Sequence, residues 1–299
     1  MWTDLLLELR PTNVMHQLGI ESRVPVLNAR DLLVGLDDTD AALWMPTAKS
    51  DAEIEGLLRA ASHSKAPLGL SMFVNGDLSR FQHEHPVGSL VWKTSQLAKT
   101  MSVCPPLCFH VQMPLIDHRV DSEVDSACTL MMACVDAGFT SFGLDLRGCS
   151  HDDDFSWAFR VLTPVVELEL SQVVILDFSQ EGNPQGVVEG LRSAGVYPDM
   201  VLITGESEGL VGSEALVEFF ADNPGLKPGW MGDSISLPRG FFTASLGEWL
   251  LADEPAQEHQ PKTDVFRREA KTYTRALIRF KRLGLKGTVE HIASRLVAR

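Results

Sequence analysis

The segment Met132-Ala133-Cys134-Val135-Asp136-Ala137-Gly138-Phe139-Thr140-Ser141-Phe142-Gly143-Leu144-Asp145 contains the end of a helix, a glycine and a strand. Apolar residues up to Val135 recur at helical spacing, and Gly138 stands where a left-handed residue commonly ends a helix. The apolar run from Phe139 to Leu144 is typical of a strand that is covered on both faces. Asp145 ends that run, and the carboxyl ends of strands are where parallel α/β barrels carry their chemistry.

The same alternation of helix and apolar strand recurs along the chain. The predicted strands are Ala41–Met45, Ala66–Phe73, Leu107–Met113, Thr140–Asp145, Gln172–Phe178, Met200–Thr204, Leu226–Met231 and Gly240–Ala244. Eight strands that alternate with helices over about 250 residues predict an α/β protein with a (β/α)8 TIM barrel. A doubly wound open sheet is the alternative. It would carry a glycine-rich turn after its first strand, and residues 45–49 contain no glycine.

Segments at both ends flank the predicted barrel of residues 41–252. Residues 1–40 are expected to be an N-terminal extension packed on the barrel, with one helix before Pro11 and a second up to Gly19. Residues 253–299 are expected to be a linker and a long basic C-terminal helix. Five apolar residues at helical spacing predict that this helix docks on the barrel: Phe266, Ala270, Tyr273, Leu277 and Phe280.

Charge is distributed unevenly along the 299 residues. The net charge of −14 argues against general nucleic-acid binding. Residues 262–299 nevertheless contain eleven Lys and Arg against three acidic residues, a net charge of +8, which leaves −22 for residues 1–261. A basic tail of this kind could bind RNA or an anionic partner, but its apolar stripe favours packing on the barrel.

The cysteine content and hydropathy indicate a cytoplasmic protein without a membrane segment. The five cysteines are odd in number and lie in strand-like or helix-like contexts, which is typical of reduced thiols. No apolar run approaches the roughly 20 residues that a membrane helix needs. The N-terminal residues also lack the basic start and apolar core of a signal peptide.

The opening segment resembles a known enzyme family. The run Asp136-Ala137-Gly138-Phe139-Thr140-Ser141, followed by Phe142-Gly143-Leu144-Asp145, is similar to one in the class II (zinc-dependent) fructose-bisphosphate aldolases. Gly205-Glu206-Ser207-Glu208-Gly209 stands at the position of that family's Gly-Thr-x-His-Gly loop, and Met231-Gly232-Asp233-Ser234 at its His-Gly-Gly-Ser phosphate loop. The resemblance spans roughly residues 42 to 252. It implies a barrel that makes or breaks a carbon–carbon bond in a ketose phosphate.

In that family three histidines bind zinc, and an aspartate beside the first histidine donates a proton. The resemblance places Glu208 at the second histidine and Met231 at the third. The first position depends on the alignment of the third strand. If His110–Met113 is the match, Gln112 replaces the proton donor and Met113 replaces the ligand. If Asp117-His118 is the match, both functions are retained, and the apolar run from Leu107 to Val111 favours the first alignment.

The candidate site residues, taken from the resemblance and from position near the barrel mouth, fall into three groups. The catalytic candidates are Asp117, Asp145 and Asp177, and the metal ligands are His118 and Glu208. The substrate-binding candidates are Gly205, Ser207, Gly209, Gly232 and Ser234. Zinc is the implied cofactor, but methionine is a poor zinc ligand, so the sequence leaves zinc binding open.

Three functions are therefore considered. The first is a divergent aldolase-like barrel that has lost most of its metal-ligand histidines. It would act as a non-catalytic regulatory or partner subunit, bind a small phosphorylated carbonyl compound, and associate with a protein partner or a second copy through its terminal segments. The second is an active aldehyde-lyase with a rearranged metal site. The third is a metal-free enzyme with a Schiff base at Lys49, which lies in a polar loop although such a lysine needs burial.

Overall fold

The computed structural model describes residues 2–74, 78, 87–101, 104–179, 182–204, 213–232, 242–249 and 262–298. The strands are β1 Leu43–Thr47, β2 Leu68–Phe73, β3 Leu107–Leu115, β4 Ser141–Asp145, β5 Ser171–Ile175, β6 Met200–Thr204, β7 Lys227–Met231 and β8 Ala244–Trp249. The helices are α1 Trp2–Glu8, α2 Thr12–Leu18, α3 Ala29–Leu36, α4 Asp51–Ser64, α5 Gly88–Ala98, α6 Asp121–Asp136, α7 Ser156–Glu167, α8 Pro184–Ser193, α9 Glu214–Asp222, α10 Lys262–Arg282 and α11 Val289–Val297.

The eight strands form one parallel sheet in the order β1-β8-β7-β6-β5-β4-β3-β2. The two ends of this order meet at β1 and β2, where the Ser71 hydroxyl donates a hydrogen bond to the Met45 carbonyl oxygen (2.6 Å). The sheet therefore curls into a nearly closed barrel, and the predicted (β/α)8 TIM-barrel fold is confirmed.

Residues 132–145, with which the sequence analysis began, have the predicted local structure. α6 ends at Asp136, and Gly138 follows with a φ of +89°, a conformation that favours glycine. Phe139 then packs edge-on against Phe109, with ring centroids 6.2 Å apart. β4 ends at Asp145 as predicted.

Alternation along each strand separates an inner face from an outer face. Trp44 points outward and meets Phe280 of α10, with ring centroids 5.2 Å apart. Met45 points inward, against the Cα of Gly69 on β2. The inner face of β3 and β4 is unusually polar, because it carries His110 and Gln112 on one strand and serine, glycine and aspartate on the next.

The N-terminal residues pack against the end of the barrel where the strands begin. The Asn13 side chain donates hydrogen bonds to the carbonyl oxygens of Val135 and Phe139 (2.9 and 2.8 Å). The Leu27 N–H donates to the Leu107 carbonyl at the start of β3 (2.8 Å). Asn28 accepts a hydrogen bond from the Ser171 N–H at the start of β5 (3.0 Å). These contacts leave the carboxyl ends of the strands available for a site, while the domain boundaries at residues 40 and 252 stay predictions.

Two C-terminal elements differ from the prediction. The eighth strand was expected at Gly240–Ala244, but β8 begins at Ala244, which pairs with Gly229 of β7. Phe242 precedes β8 and packs against Trp230 (ring centroids 5.5 Å apart), so its apolar character reflects packing outside the strand. Gly240 lies outside the described residues.

The single terminal helix predicted from the sequence is two helices, α10 and α11, separated by two left-handed glycines. Gly284 has a φ of +70° and Gly287 a φ of +81°. α10 docks on the barrel as predicted, but its buried face is rotated, because Phe266 and Ala270 are exposed whereas Phe280 is buried.

α10 packs closely on α4 through a glycine and a buried ion pair. A Cβ on Gly56 would lie 2.7 Å from the Glu269 carbonyl oxygen and 3.0 Å from the Thr272 Cβ. Beside this contact, the Arg268 guanidinium donates to the Glu53 carboxylate (2.8 Å), and both side chains are buried. Within the described ranges, no helix combines the length and apolarity needed to span a bilayer.

Candidate functional site at the carboxyl end of the barrel

The polar inner-face residues of β3 and β4 form a column that rises toward the carboxyl end of the barrel. The strand pairing places His110 beside Ser141 and Gln112 beside Gly143, and Asp145 ends β4 above them. All of these side chains are buried. A buried polar column inside a barrel is a candidate place for a ligand or a reacting group.

His110 is the titratable residue that lies farthest below the barrel mouth in this column. Its Nδ1 lies 3.0 Å from the Ser141 hydroxyl, and its Nε2 is buried without a hydrogen-bond partner in the described structure. Burial lowers the pKa of His110 to about 3, and the neighbouring Gln112 amide offsets only part of that effect. The imidazole is therefore neutral at physiological pH.

Gln112 lies directly above His110 and is turned toward its own strand. Its amide nitrogen donates to the Met113 carbonyl oxygen (3.0 Å), while its amide oxygen is buried without a partner in the described structure. Gly143 makes room for this amide, because a Cβ at that position would collide with the Gln112 oxygen. The two unpartnered polar atoms, His110 Nε2 and Gln112 Oε1, thus belong to neighbouring layers of the same strand.

His110–Met113 lie within β3. Met113 has almost no exposed surface, so its thioether is packed in the core. The strand continues to Leu115, and Asp117 and His118 follow it in a loop.

Asp117 and His118 are held by their own loop and by α7. Asp117 is exposed, and its carboxylate accepts a hydrogen bond from the Arg119 N–H (3.1 Å). The His118 ring stacks on Trp157, with centroids 5.5 Å apart, and its Nε2 lies 3.7 Å from the Asp153 carboxylate. In the described part of the chain, neither residue makes a hydrogen bond or ion pair with Asp145.

Asp145 is engaged by an arginine two residues away. The Arg147 Nε and Nη2 donate to the two carboxylate oxygens at 3.1 and 2.8 Å, and the Arg147 N–H adds a third hydrogen bond (3.2 Å). Such a forked pair fixes the plane of the guanidinium. About a third of the Arg147 side chain is exposed (36%), so the carboxylate holds a cation at the end of β4.

The other predicted residues near the barrel mouth have local roles. Asp177 accepts hydrogen bonds from the Ser179 N–H (2.8 Å) and hydroxyl (3.1 Å), an arrangement that stabilises a turn. Gly232 donates its N–H to the Leu246 carbonyl oxygen (3.3 Å), which engages the group expected to bind phosphate. Lys49 is exposed after β1. The predicted residues Gly205, Ser207, Glu208, Gly209 and Ser234 lie outside the described residues.

The described residues do not fit the zinc site that the resemblance implies. At the matched positions stand Gln112, Met113 and Met231, whose amide and thioether groups are not the imidazole, thiolate or carboxylate ligands that zinc takes. Across the described ranges, no three His, Cys, Asp or Glu side chains are grouped so as to hold a metal ion. His118 pairs with Asp153, and its predicted co-ligand Glu208 is not among the described residues.

Solved aldolases share this fold. The YdjI aldolase of Escherichia coli K12 matches with a TM-score of 0.60 and 15% sequence identity, over 88% of this chain and 98% of its own. The fructose-bisphosphate aldolase of Campylobacter jejuni matches with a TM-score of 0.59 and 14% identity, over 87% of this chain and 96% of its own. No protein-family model matches the sequence, and no curated protein matches it. At this level of identity the likeness establishes an aldolase-like barrel fold.

Two residues of the candidate site, Arg147 and His110, were not identified as site residues from the sequence. Arg147 carried a weak signal, since it follows the strand-end Asp145 by two residues. His110 was considered only as an alignment marker, because an apolar strand with one histidine does not reveal which face the imidazole occupies. The strand pairing with β4 supplies that information, by setting His110 against Ser141.

Proposed function

We propose that this protein is a divergent aldolase-type barrel that binds a small phosphorylated carbonyl compound without zinc, as a non-catalytic regulatory or partner subunit. One observation carries the proposal. In the alignment that the apolar run of β3 favours, the positions of the proton donor and the first metal ligand hold Gln112, whose amide is turned back on the Met113 carbonyl, and Met113, which is buried in the core.

These two substitutions remove the chemical groups on which zinc-dependent aldol cleavage depends. In that reaction the metal polarises the ketose carbonyl and stabilises the negative charge of the enediolate. An amide such as that of Gln112 neither gives up nor takes a proton at physiological pH, and a buried thioether does not replace an imidazole as a zinc ligand. Binding of a ligand requires neither group.

The expected class of ligand follows from the charge at the barrel mouth. Asp145 holds the Arg147 guanidinium at the end of β4, where a phosphate oxygen could share its planar fork. The buried polar column of His110 and Gln112 lies below and suits hydroxyl or carbonyl groups. A barrel neighbour is named as a fructose-bisphosphate aldolase, whose substrate carries phosphate groups.

The test measures binding and turnover separately. Dihydroxyacetone phosphate is titrated into the full-length protein by calorimetry, with and without EDTA, and bound metals are measured by mass spectrometry. We expect saturable binding that EDTA does not change, and no cleavage of fructose 1,6-bisphosphate. Arg147→Gln should weaken binding by about tenfold or more, as the loss of a charge-assisted contact predicts. The control is Lys65→Gln, which removes a cation just before β2, at the opposite end of the barrel, and should not weaken binding.

The alternative, an active aldehyde-lyase with a rearranged metal site, is favoured by the fold it shares with named aldolases and by the carboxylate at the end of β4. It predicts about one zinc ion per chain and a cleavage activity that EDTA abolishes and added zinc restores. Chelator-sensitive cleavage would replace the non-catalytic proposal. Absence of both binding and cleavage would refute both functions.

A further inference from the structure

A groove of about 700 Å³ lies on the outside of the barrel, between the C-terminal part of α4 and the N-terminal part of α10. A volume of this size suits a small molecule. The residues that matter for its chemistry are Arg59 and His63 of α4, Met101 after α5, and Phe266, Glu269 and Tyr273 of α10. This α4–α10 groove is separate from the polar column inside the barrel, so what it binds does not depend on the proposed function.

The α10 side of the groove is an aromatic face that the fold leaves partly exposed. Phe266, Ala270 and Tyr273 belong to the apolar stripe predicted from the sequence, but the rotation of α10 turns this part of the stripe toward the groove. The Phe266 side chain is 68% exposed. The His63 ring meets Tyr273 edge-on, with centroids 6.2 Å apart. Rings in such a groove can bind apolar groups and, through their π faces, cations.

The charged groups beside these rings carry a surplus negative charge. The Arg59 guanidinium lies 2.6 Å from the Glu55 carboxylate and 3.0 Å from the Glu269 carboxylate. Two carboxylates thus share one guanidinium, and the three groups together have a net charge of −1. Burial and the repulsion of Glu55 raise the pKa of Glu269, and Arg59 offsets only part of this effect. A second cation beside Glu269 would remove the repulsion.

The basic residues of α10 do not supply that cation. Arg267 and Arg268 are paired with carboxylates other than Glu269. Lys271 and Arg275 lie five and nine residues after Phe266. At 3.6 residues per turn, this spacing puts both on the side of α10 that faces away from the groove. The surplus charge of the groove is therefore available to a ligand.

We propose that the α4–α10 groove binds a small organic cation, an ammonium group on an aromatic or apolar arm. Its charge would lie beside Glu269, and its arm would pack against Phe266 and Tyr273. An anionic ligand is disfavoured, because it would have to compete with two carboxylates for Arg59. A cation gains from a carboxylate and from the ring faces at the same time.

The test uses two probes that have the same ring and the same two-carbon arm but opposite charges. The cation 2-phenylethylammonium and the anion 3-phenylpropionate are each titrated into the full-length protein by calorimetry at about pH 7.5, where both are charged. We expect saturable binding of the cation, at least about tenfold tighter than that of the anion. Phe266→Ala and Glu269→Gln should each weaken binding of the cation by about fivefold or more. Arg59→Gln should strengthen it, because both carboxylates are then left without their shared guanidinium.

The matched controls make the same changes outside the groove. Phe159→Ala removes a partly exposed ring from α7, and Glu189→Gln neutralises an exposed carboxylate on α8; neither should change the affinity for the cation. Urea unfolding of each variant shows that it is folded. The proposal would be overturned if the cation did not bind saturably, or if the anion bound as tightly. It would also fail if Arg59→Gln weakened binding of the cation, if Phe266→Ala left it unchanged, or if the controls weakened it equally.

Discussion

Acidification should destabilise this protein through His110, which folding buries completely and holds neutral. Its pKa is about 3 in the folded protein, against an ordinary value of 6.5. Between these values the unfolded chain binds a proton that the folded chain does not. The stability that a neutral His110 supplies is therefore fully present above about pH 6.5 and is lost progressively as the pH falls toward 3.

The size of the effect follows from the width of that window. Each pH unit below the pKa of His110 in the unfolded chain lowers the free energy of unfolding by about 1.4 kcal/mol. At about pH 5 the loss is therefore about 2 kcal/mol, which is a large part of the marginal stability of a typical domain. Near pH 3 it approaches about 5 kcal/mol.

The assay compares the wild type with His110→Gln by urea unfolding between about pH 7.5 and pH 5. Glutamine keeps a hydrogen-bonding side chain beside Ser141 but does not titrate, so the difference between the two free energies of unfolding should change by about 2 kcal/mol across this range. His291→Gln, on the exposed face of α11, controls for the change of residue type. Parallel profiles for wild type and His110→Gln would refute the reasoning. So would an NMR signal of the His110 ring in the folded wild type that titrates between pH 7.5 and pH 5.

Three further predictions concern packing and reactivity. In a urea titration, Gly56→Ala should lower the free energy of unfolding by about 1–3 kcal/mol, because its Cβ would force α10 away from α4. The control is Gly88→Ala, whose Cβ would have its nearest neighbour at 3.7 Å and which should have little effect. Arg268→Met should lower the free energy of unfolding by about 3–5 kcal/mol, since it leaves the buried Glu53 carboxylate without its charged partner. A loss below about 1 kcal/mol would contradict the role of the ion pair. In the native protein iodoacetamide should modify Cys128 before Cys134, because burial raises the pKa of both thiols but encloses only the second; mass spectrometry of the labelled peptides would expose the reverse order.

The barrel could be predicted from local patterns because its strands are apolar, short and regularly spaced. The segment that ends at Asp145 shows this well, since Gly138 adopts the left-handed conformation that its position requires. β8 was misplaced because Phe242 looks like part of a strand, whereas it packs against Trp230 before the strand begins. Nothing local distinguishes these two uses of an aromatic residue.

The buried face of α10 was beyond local reasoning for a similar reason. Apolar spacing favoured Phe266 and Ala270 as core residues, but Gly56 lets α10 approach α4 on a face that includes Arg268 and Thr272. The buried arginine there is paired with Glu53, more than two hundred residues earlier in the chain. Such long-range compensation leaves no trace in the periodicity of a single helix.

The candidate site was predicted in part. Asp145 lies at the end of β4 as expected, but its fork with Arg147 depends on side-chain geometry that a sequence does not display. The apolar run from Leu107 to Val111 favoured His110–Met113 over Asp117-His118, but it did not decide between the two alignments. The pairing of β3 with β4 places His110–Met113 within the strand. His118 follows the strand and packs against α7, where its ring stacks on Trp157.

The contacts between the N-terminal residues and the starts of β3, β4 and β5 also bear on the order of folding. Asn13 and Asn28 bind backbone groups that are 122 to 143 residues later in the chain. During synthesis these residues emerge long before their partners exist, and their full set of contacts can form only after the start of β5 has been made. Closing such long loops is slow. Docking of this segment should therefore be a late step, and a chain without residues 1–28 should fold to a barrel whose earliest loss of protection in hydrogen exchange is at the starts of β3 to β5.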